Sequence, residues 1–349
     1  MANSLSRPLS HYGSLTILKA GVLSLLQDQG RIGHQHMGVS PSGVMDLWTA
    51  GWANRLVGNT PHVPQLEITH GGLAFAVSAP TVIALTGTPV KFTINGKRAN
   101  LWQSYPLVSG DVVQIGQASP SSQPSSQPPS QPFTLLPGLR HYLAIRGGFV
   151  LTPILDSVSV NLREGIGGLS GFGSPLKRGD QLIFQASLAQ TRLMLPAHKW
   201  SWWESDTELF SEQHLRVIPC AQYQAFPKIL RRQLFSHHFT VSQQSNRMGY
   251  RLEGSHFRHD LPGMLSEPTG LGVIQIPNGG VPIVLLNDRQ TLGGYPKLGA
   301  VAEIDCWRLG QMRPGQVIRF QLTSVVRAQV AKSALLTRMK QLKLQTPAS

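Results

Sequence analysis

Through most of the chain, apolar residues come in short runs closed by a glycine, a proline or a polar cluster. That rhythm predicts short β-strands joined by tight turns. Leu15, Ile17, Val22, Leu23, Leu25 and Leu26 predict two strands bent at Gly21. Residues 66–68, 73–77, 81–86, 90–94 and 105–115 continue the pattern, and Asn95-Gly96 is a strong two-residue hairpin signal. Further strands are expected within 139–149, at 215–219 and at 239–241, with 301–309 closing the sheet region. Helical spacing appears in three places. In 44–56, Met45, Thr49, Trp52 and Leu56 share a face, Ser42 or Asp46 can cap, and Gly58 can stop the helix. Trp48 and Trp52, four apart, suit core packing. Residues 226–234 predict a short helix, and 327–344 a basic terminal one with Val330, Leu335, Leu336, Met339 and Leu342 near one face. A turn-then-strand unit recurs weakly, starting at Gly110-Asp111, Gly179-Asp180 and Pro314-Gly315. The expectation is a mainly β protein with a few short helices.

Length allows two domains in 349 residues, and 35 Gly with 25 Pro fits a turn-rich β architecture. Domain boundaries are expected at 14–199 and 213–325, with 326–349 as a basic helix and tail. Trp200, Trp202 and Trp203 mark the crossing in 196–209, and the Ser/Gln/Pro run 119–132 reads as a disordered surface loop within the first domain. A net charge of +14 suggests acidic partners, but the basic residues are scattered without the dense stripe of a nucleic-acid module. The terminal helix could touch acidic lipid or a partner; packing on its own domain is the plainer reading. The N-terminus does not resemble a signal peptide, no run spans a membrane, and Cys220 and Cys306 form no framework. These features together predict a cytoplasmic protein.

The chemistry concentrates at residues 285–296, where an apolar run ends at Asn287, Asp288, Arg289, Gln290 and Thr291, followed by Gly293-Gly294, Tyr295 and Pro296. Carboxylate, guanidinium, amide, hydroxyl and phenol within one turn suit a small polar substrate; the alternative is a solvated hairpin turn. Residues 27–33 form a second polar loop around Asp28 and Arg31, which either lines a cleft or pairs internally. Arg247 stands at another polar-to-apolar junction, and Gln275 sits inside a β-rich run, where it either satisfies backbone groups or faces a pocket. The Ser/Gly-rich stretch 156–173 lacks a phosphate-loop pattern, and neither a dinucleotide fingerprint nor a G-x-S-x-G elbow occurs. His34 with His36 and His256 with His259 lack a third ligand at diagnostic spacing, so no metal site is expected.

An ordered set of stretches resembles one family: Q-D-Q-G-R-I-G-H-Q with P-S-G-V-M-D, A-N-R-L-V-G-N, L-E-I-T-H-G-G, Y-L-A-I-R-G-G, S-N-R-M-G-Y-R-L, S-E-P-T-G-L-G-V-I-Q-I-P and D-R-Q-T-L-G-G-Y-P. They are similar to the C-type subunits of 5-oxoprolinase, a family also described as biotin-dependent carboxyltransferase-like, allophanate hydrolase subunit 2-like or KipA-like. The resemblance implies two cyclophilin-like β-barrel subdomains. It implies a component that works with A-type and B-type (KipI-like) proteins in ATP-dependent hydrolysis of 5-oxo-L-proline to L-glutamate, with ATP and magnesium acting at the level of the complex. Homo-oligomers are a further expectation. Two alternatives remain: carboxyl transfer with biotin supplied in trans, since no A/V-M-K-M motif is present, or a non-enzymatic KipA-like regulatory role. Asp288, Gln290 and Thr291 are the candidate catalytic residues; Arg247, Gln275, Tyr295, Asp28, Arg31 and Asp46 are candidates for substrate binding. The chain departs from the family at Leu292, usually Thr, at Asn246, often Asp, and at 156–160, where G-S-x-S-T is replaced by D-S-V-S-V.

Overall fold

The computed structural model describes residues 11–116, 138–187, 192–195, 214–259, 261 and 264–346. The run 119–132 and the crossing 196–209 lie outside them. The first eleven strands are β1 (Tyr12–Ala20), β2 (Leu23–Gln27), β3 (Gln65–Thr69), β4 (Leu73–Val77), β5 (Thr81–Gly87), β6 (Phe92–Ile94), β7 (Lys97–Arg98), β8 (Gln103–Leu107), β9 (Val112–Ile115), β10 (Arg140–Ile145) and β11 (Gln181–Gln185). They form a six-stranded sheet, β11-β1-β4-β9-β6-β7, and a five-stranded sheet, β2-β3-β10-β5-β8. One hydrophobic core, with Leu15, Phe75 and Phe184 from the first sheet and Leu25, Ile68 and Ile83 from the second, lies between them. The bend at Gly21 has φ +73°, and a Cβ there would stand 2.5 Å from the Gly71 carbonyl oxygen. Asn95 and Gly96 both take positive φ, which pairs Thr93 with Arg98 and Ile94 with Lys97 in the expected hairpin.

The remaining strands are β12 (His214–Pro219), β13 (Phe239–Val241), β14 (Gly249–Glu253), β15 (Glu267–Pro268), β16 (Val273–Gln275), β17 (Ile283–Leu285), β18 (Leu292–Gly293), β19 (Lys297–Val301) and β20 (Val317–Leu322). Seven close into a barrel, β12-β19-β16-β17-β14-β13-β20, sealed by the parallel pair β12–β20; β15 and β18 form a separate ribbon. The mainly β expectation is met, with few helices.

Helix α1 (Leu47–Leu56) begins later than the periodicity suggests because Asp46 is its N-cap, accepting from the Thr49 amide. Trp48 and Trp52 meet edge to face in the core, 5.8 Å between ring centroids. Helix α2 (Lys228–Ser236) lies on the barrel. The expected sheet closure at 301–309 is corrected: β19 ends at Val301, and α3 (Glu303–Gln311) follows. Ile304 and Trp307 enter the first core while Cys306 and Leu309 enter the second, so apolar residues on two faces serve two bodies rather than a strand. Helix α4 (Val325–Gln341) packs on the first core through Ala331 and Leu335, whereas Val330 is exposed. Arg55 ties its end down by donating to the Leu342 carbonyl at 2.7 Å.

Candidate functional site

Strand β10 is buried at all six positions, yet it carries Arg140, His141 and Tyr142. Neighbouring β3 carries Glu67, 1% exposed, between Leu66 and Ile68. Polar groups placed this deep need partners, and they find them across the junction of the two bodies. Glu67 Oε2 accepts from the Met45 amide at 2.8 Å and from the Tyr142 hydroxyl at 3.0 Å. Its Oε1 takes Arg247 Nη1 and lies 3.3 Å from Arg140 Nε. Arg247, at the entry to β14, grips Asp288 with two hydrogen bonds, 2.9 Å from Nε and 3.0 Å from Nη2, and donates to the Gly43 carbonyl at 2.6 Å. Arg140 reaches the Tyr250 hydroxyl at 3.0 Å. Burial alone would pull the Arg247 pKa down, but the Asp288 and Glu67 carboxylates hold it above its ordinary value. Burial pushes Glu67 up, and Arg247, Arg140 and the Met45 amide together bring it below the usual range.

The polar stretch after β17 therefore faces the first body rather than solvent. The Asp288 amide donates to the Arg247 carbonyl at 3.0 Å, the Asn287 side chain to the Val44 carbonyl at 2.9 Å, and the Ser42 amide to the Asn287 carbonyl at 3.0 Å. Asp46 sits deeper still. Its carboxylate caps α1 and accepts from Gln311 Nε2 at 2.9 Å, and burial raises its pKa against those hydrogen bonds.

Asp28 and Arg31 do not pair with each other; both bind the 154–168 loop. Asp28 accepts from the hydroxyls of Ser157 and Ser159, each at 2.6 Å, and from the Val158 and Gly30 amides, each at 2.8 Å. Asp156, at the family's glycine position, adopts φ +60°. Arg31 is 0% exposed; its Nε donates to Ile154 O at 3.1 Å and Nη2 to Ser157 O at 3.3 Å, while Nη1 has no acceptor. Burial lowers its pKa against the nearby charges of Asp28, Glu164 and Asp288. Ser40 joins this loop to the barrel: its amide donates to Glu164 at 3.0 Å and its hydroxyl contacts the Arg289 carbonyl at 2.6 Å.

Arg289 itself is buried, its pKa lowered by burial, and its Nε lacks an acceptor although Nη1 reaches Leu286 O at 3.2 Å. At the barrel mouth, Gln290 Nε2 donates to Gln275 Oε1 at 3.4 Å, and Gln275 Nε2 is buried without a partner. A Cβ on Gly293 would stand 2.4 Å from that nitrogen, so any side chain there would displace the Gln275 amide. The Thr291 carbonyl accepts from the Thr269 amide at 2.9 Å in the β15–β18 ribbon, and Tyr295 is exposed beyond it.

The structure thus brings Arg247 and Asp288 into one ion-pair cluster, Asp28 and Arg31 into a loop clamp, and Gln275, Gln290 and Thr291 to the barrel mouth. It adds Glu67, Arg140, Tyr142, Ser40, Glu164 and Arg289. A charged residue inside the buried 66–68 run was the visible signal for Glu67. Ser40 and Glu164 carry no signal, because their meeting depends on the loops' path. Chemically, the shielded N–H groups without acceptors include Arg31 Nη1, Arg289 Nε and Gln275 Nε2. Such donors suit an anionic or carbonyl oxygen.

The carboxyltransferase domain model, subdomains A and B, matches residues 37–125 and 130–322. The chain is 32% identical to the C-type 5-oxoprolinase component of Escherichia coli (strain K12), over 91% of this chain and 94% of that protein. It is 29% identical to the urea amidolyase of Saccharomyces cerevisiae over 88% of this chain but 16% of that one. Among solved structures, TTHA0988 superimposes with TM-score 0.73 at 32% identity, covering 90% of this chain and 56% of that chain. The K. lactis urea amidolyase gives 0.79 at 27% identity, covering 99% of this chain and 21% of that chain.

Proposed function

The chain belongs to the carboxyltransferase domain family, subdomains A and B, and from that premise we propose that it is one subunit of an ATP-dependent 5-oxoprolinase, opening 5-oxo-L-proline to L-glutamate. The observation that carries this reading is the extent of likeness: the match spans 94% of the E. coli 5-oxoprolinase component and 16% of the yeast urea amidolyase. A lactam is a poor electrophile. Phosphoryl transfer from ATP to its oxygen releases ADP and activates the carbon; one water adds there, the C–N bond breaks so that the ring opens to a free amine and an acyl phosphate, and a second water releases phosphate to leave the carboxylate of glutamate. Arg31 and Arg289 are the clamps for carboxylate or phosphate oxygens, and Gln275 Nε2 donates to the carbonyl. Arg247 is fully engaged by Asp288, Glu67 and Gly43, and both Asp288 oxygens are taken by Arg247. In this role the pair positions the 287–291 loop, and base chemistry at Asp288 requires the pair to part. Gln290, Thr291 and Tyr295 supply hydrogen bonds at the more open edge.

Among the described residues, no group of three or more His, Cys, Asp or Glu side chains is placed to hold a metal ion. In this reading ATP acts with its magnesium at the level of the complex with A-type and B-type partners. No helix among the described residues is long and apolar enough to cross a membrane. The second reading, carboxyl transfer from carboxybiotin carried on another protein, is favoured by the 99% coverage of this chain in the K. lactis superposition. Mixing the purified chain with its A-type and B-type partners, ATP, magnesium and 5-oxoproline separates the two. Glutamate release that needs all three proteins is expected; bicarbonate- and biotin-dependent ATP turnover without glutamate would overturn the lead reading.

A further inference from the structure

An open surface pocket of about 530 Å³ lies beside α2 and β20, lined by Tyr223, Lys228, Arg231, Arg232, Phe235, Ser236 and Leu322. Its volume is that of a small-molecule site. Three of its seven lining side chains are cationic and none is acidic. Among the described residues, none of the three cations forms an ion pair. Arg231 lines the pocket without a carboxylate partner. Its guanidinium lies 5.3 Å from the centre of the Tyr223 ring, and its Nη1 meets the neutral Gln224 amide oxygen. Its Nε is shielded from water and has no acceptor. A shielded guanidinium N–H left open costs free energy unless an oxygen fills the position. Tyr223, Phe235 and Leu322 supply an apolar wall beside these charges, and Ser236 a hydroxyl.

We propose that this cavity binds an oligophosphate carrying a flat apolar body, the chemistry of a nucleoside polyphosphate, with Arg231, Lys228 and Arg232 on the phosphates and the body against Phe235 and Leu322. Three unpaired cations within five residues match a multiply charged anion better than a single carboxylate. The apolar wall separates such a ligand from inorganic phosphate. The inference does not depend on which reaction the cleft performs, and its test reads binding to the full chain alone.

Calorimetric titration with ATP, inorganic tripolyphosphate and adenosine, at two salt concentrations, decides it. ATP should bind about tenfold more tightly than tripolyphosphate, and adenosine only weakly. Arg231→Gln and Lys228→Gln should each weaken ATP about tenfold, the loss of one charge-assisted contact. Arg98→Gln, an exposed change on β7 far along the chain, should leave it unchanged. Circular dichroism confirms that the variants fold. Equal affinity for ATP and tripolyphosphate, or equal losses in all three variants, would mean that only the chain's general positive charge attracts the anion, and the proposal fails. No ATP binding to the wild-type chain overturns it as well.

Discussion

Replacing Glu67 with glutamine tests the claim that one buried carboxylate holds the two bodies together. The cluster is balanced, with Arg140 and Arg247 against Glu67 and Asp288, and the Glu67 side chain has no solvent access. Every group facing its two oxygens is a donor: Arg247 and Arg140 at one, the Met45 amide and the Tyr142 hydroxyl at the other. An amide NH2 therefore meets a donor whichever way it is turned, and one guanidinium is left without a counter-charge. Breaking a buried pair from one side costs about 3–5 kcal/mol. For bodies of this size that lowers the melting temperature on the order of 10 °C. The assay is urea unfolding followed by tryptophan fluorescence, with Arg140→Met and the double variant completing a cycle. Arg140→Met restores charge balance in the Glu67→Gln background, so the double variant should be more stable than the sum of single effects by about 1–3 kcal/mol. A Glu67→Gln cost under about 1 kcal/mol, or strict additivity, would refute the reasoning.

Asp288→Asn should lower turnover of the reconstituted complex at least about tenfold, because a charged hydrogen-bond partner of Arg247 is lost; wild-type rates would remove Asp288 from the site. Gly293→Ala puts a methyl 2.4 Å from Gln275 Nε2, so KM should rise several-fold with secondary structure unchanged by circular dichroism; unchanged kinetics would show that this end of the barrel does not meet substrate. Burial holds His141 down at about 4, with its Nε2 against the Thr88 carbonyl at 3.0 Å. The stability gained by keeping this ring neutral is complete above the ordinary histidine value near 6.5 and is lost as pH falls toward about 4, about 3 kcal/mol in all. His141→Asn should remove that part of the acid-side slope in pH-dependent unfolding, and an identical slope would contradict it.

Strand rhythm, hairpin and capping were legible because they are local. Asn95-Gly96 can take two positive φ values cheaply, the bend at Gly21 needs no side chain, and Asp46 reaches an amide three residues ahead. The 301–309 segment was misread because its apolar residues serve two cores, which blurs a single-faced period. The polar run at 287–291 announced chemistry, and the family motifs placed it in order along the chain. Which of its groups are free is a different matter. Asp288 and Arg247, 41 residues apart, neutralise each other, whereas Arg31 and Arg289 keep open N–H groups that composition cannot distinguish from any other arginine. Local sequence determined the elements, since backbone preference and capping act over a few residues. Only the tertiary structure decided which charges were paired and which were left waiting, because pairing depends on distances between segments that the chain brings together from far apart.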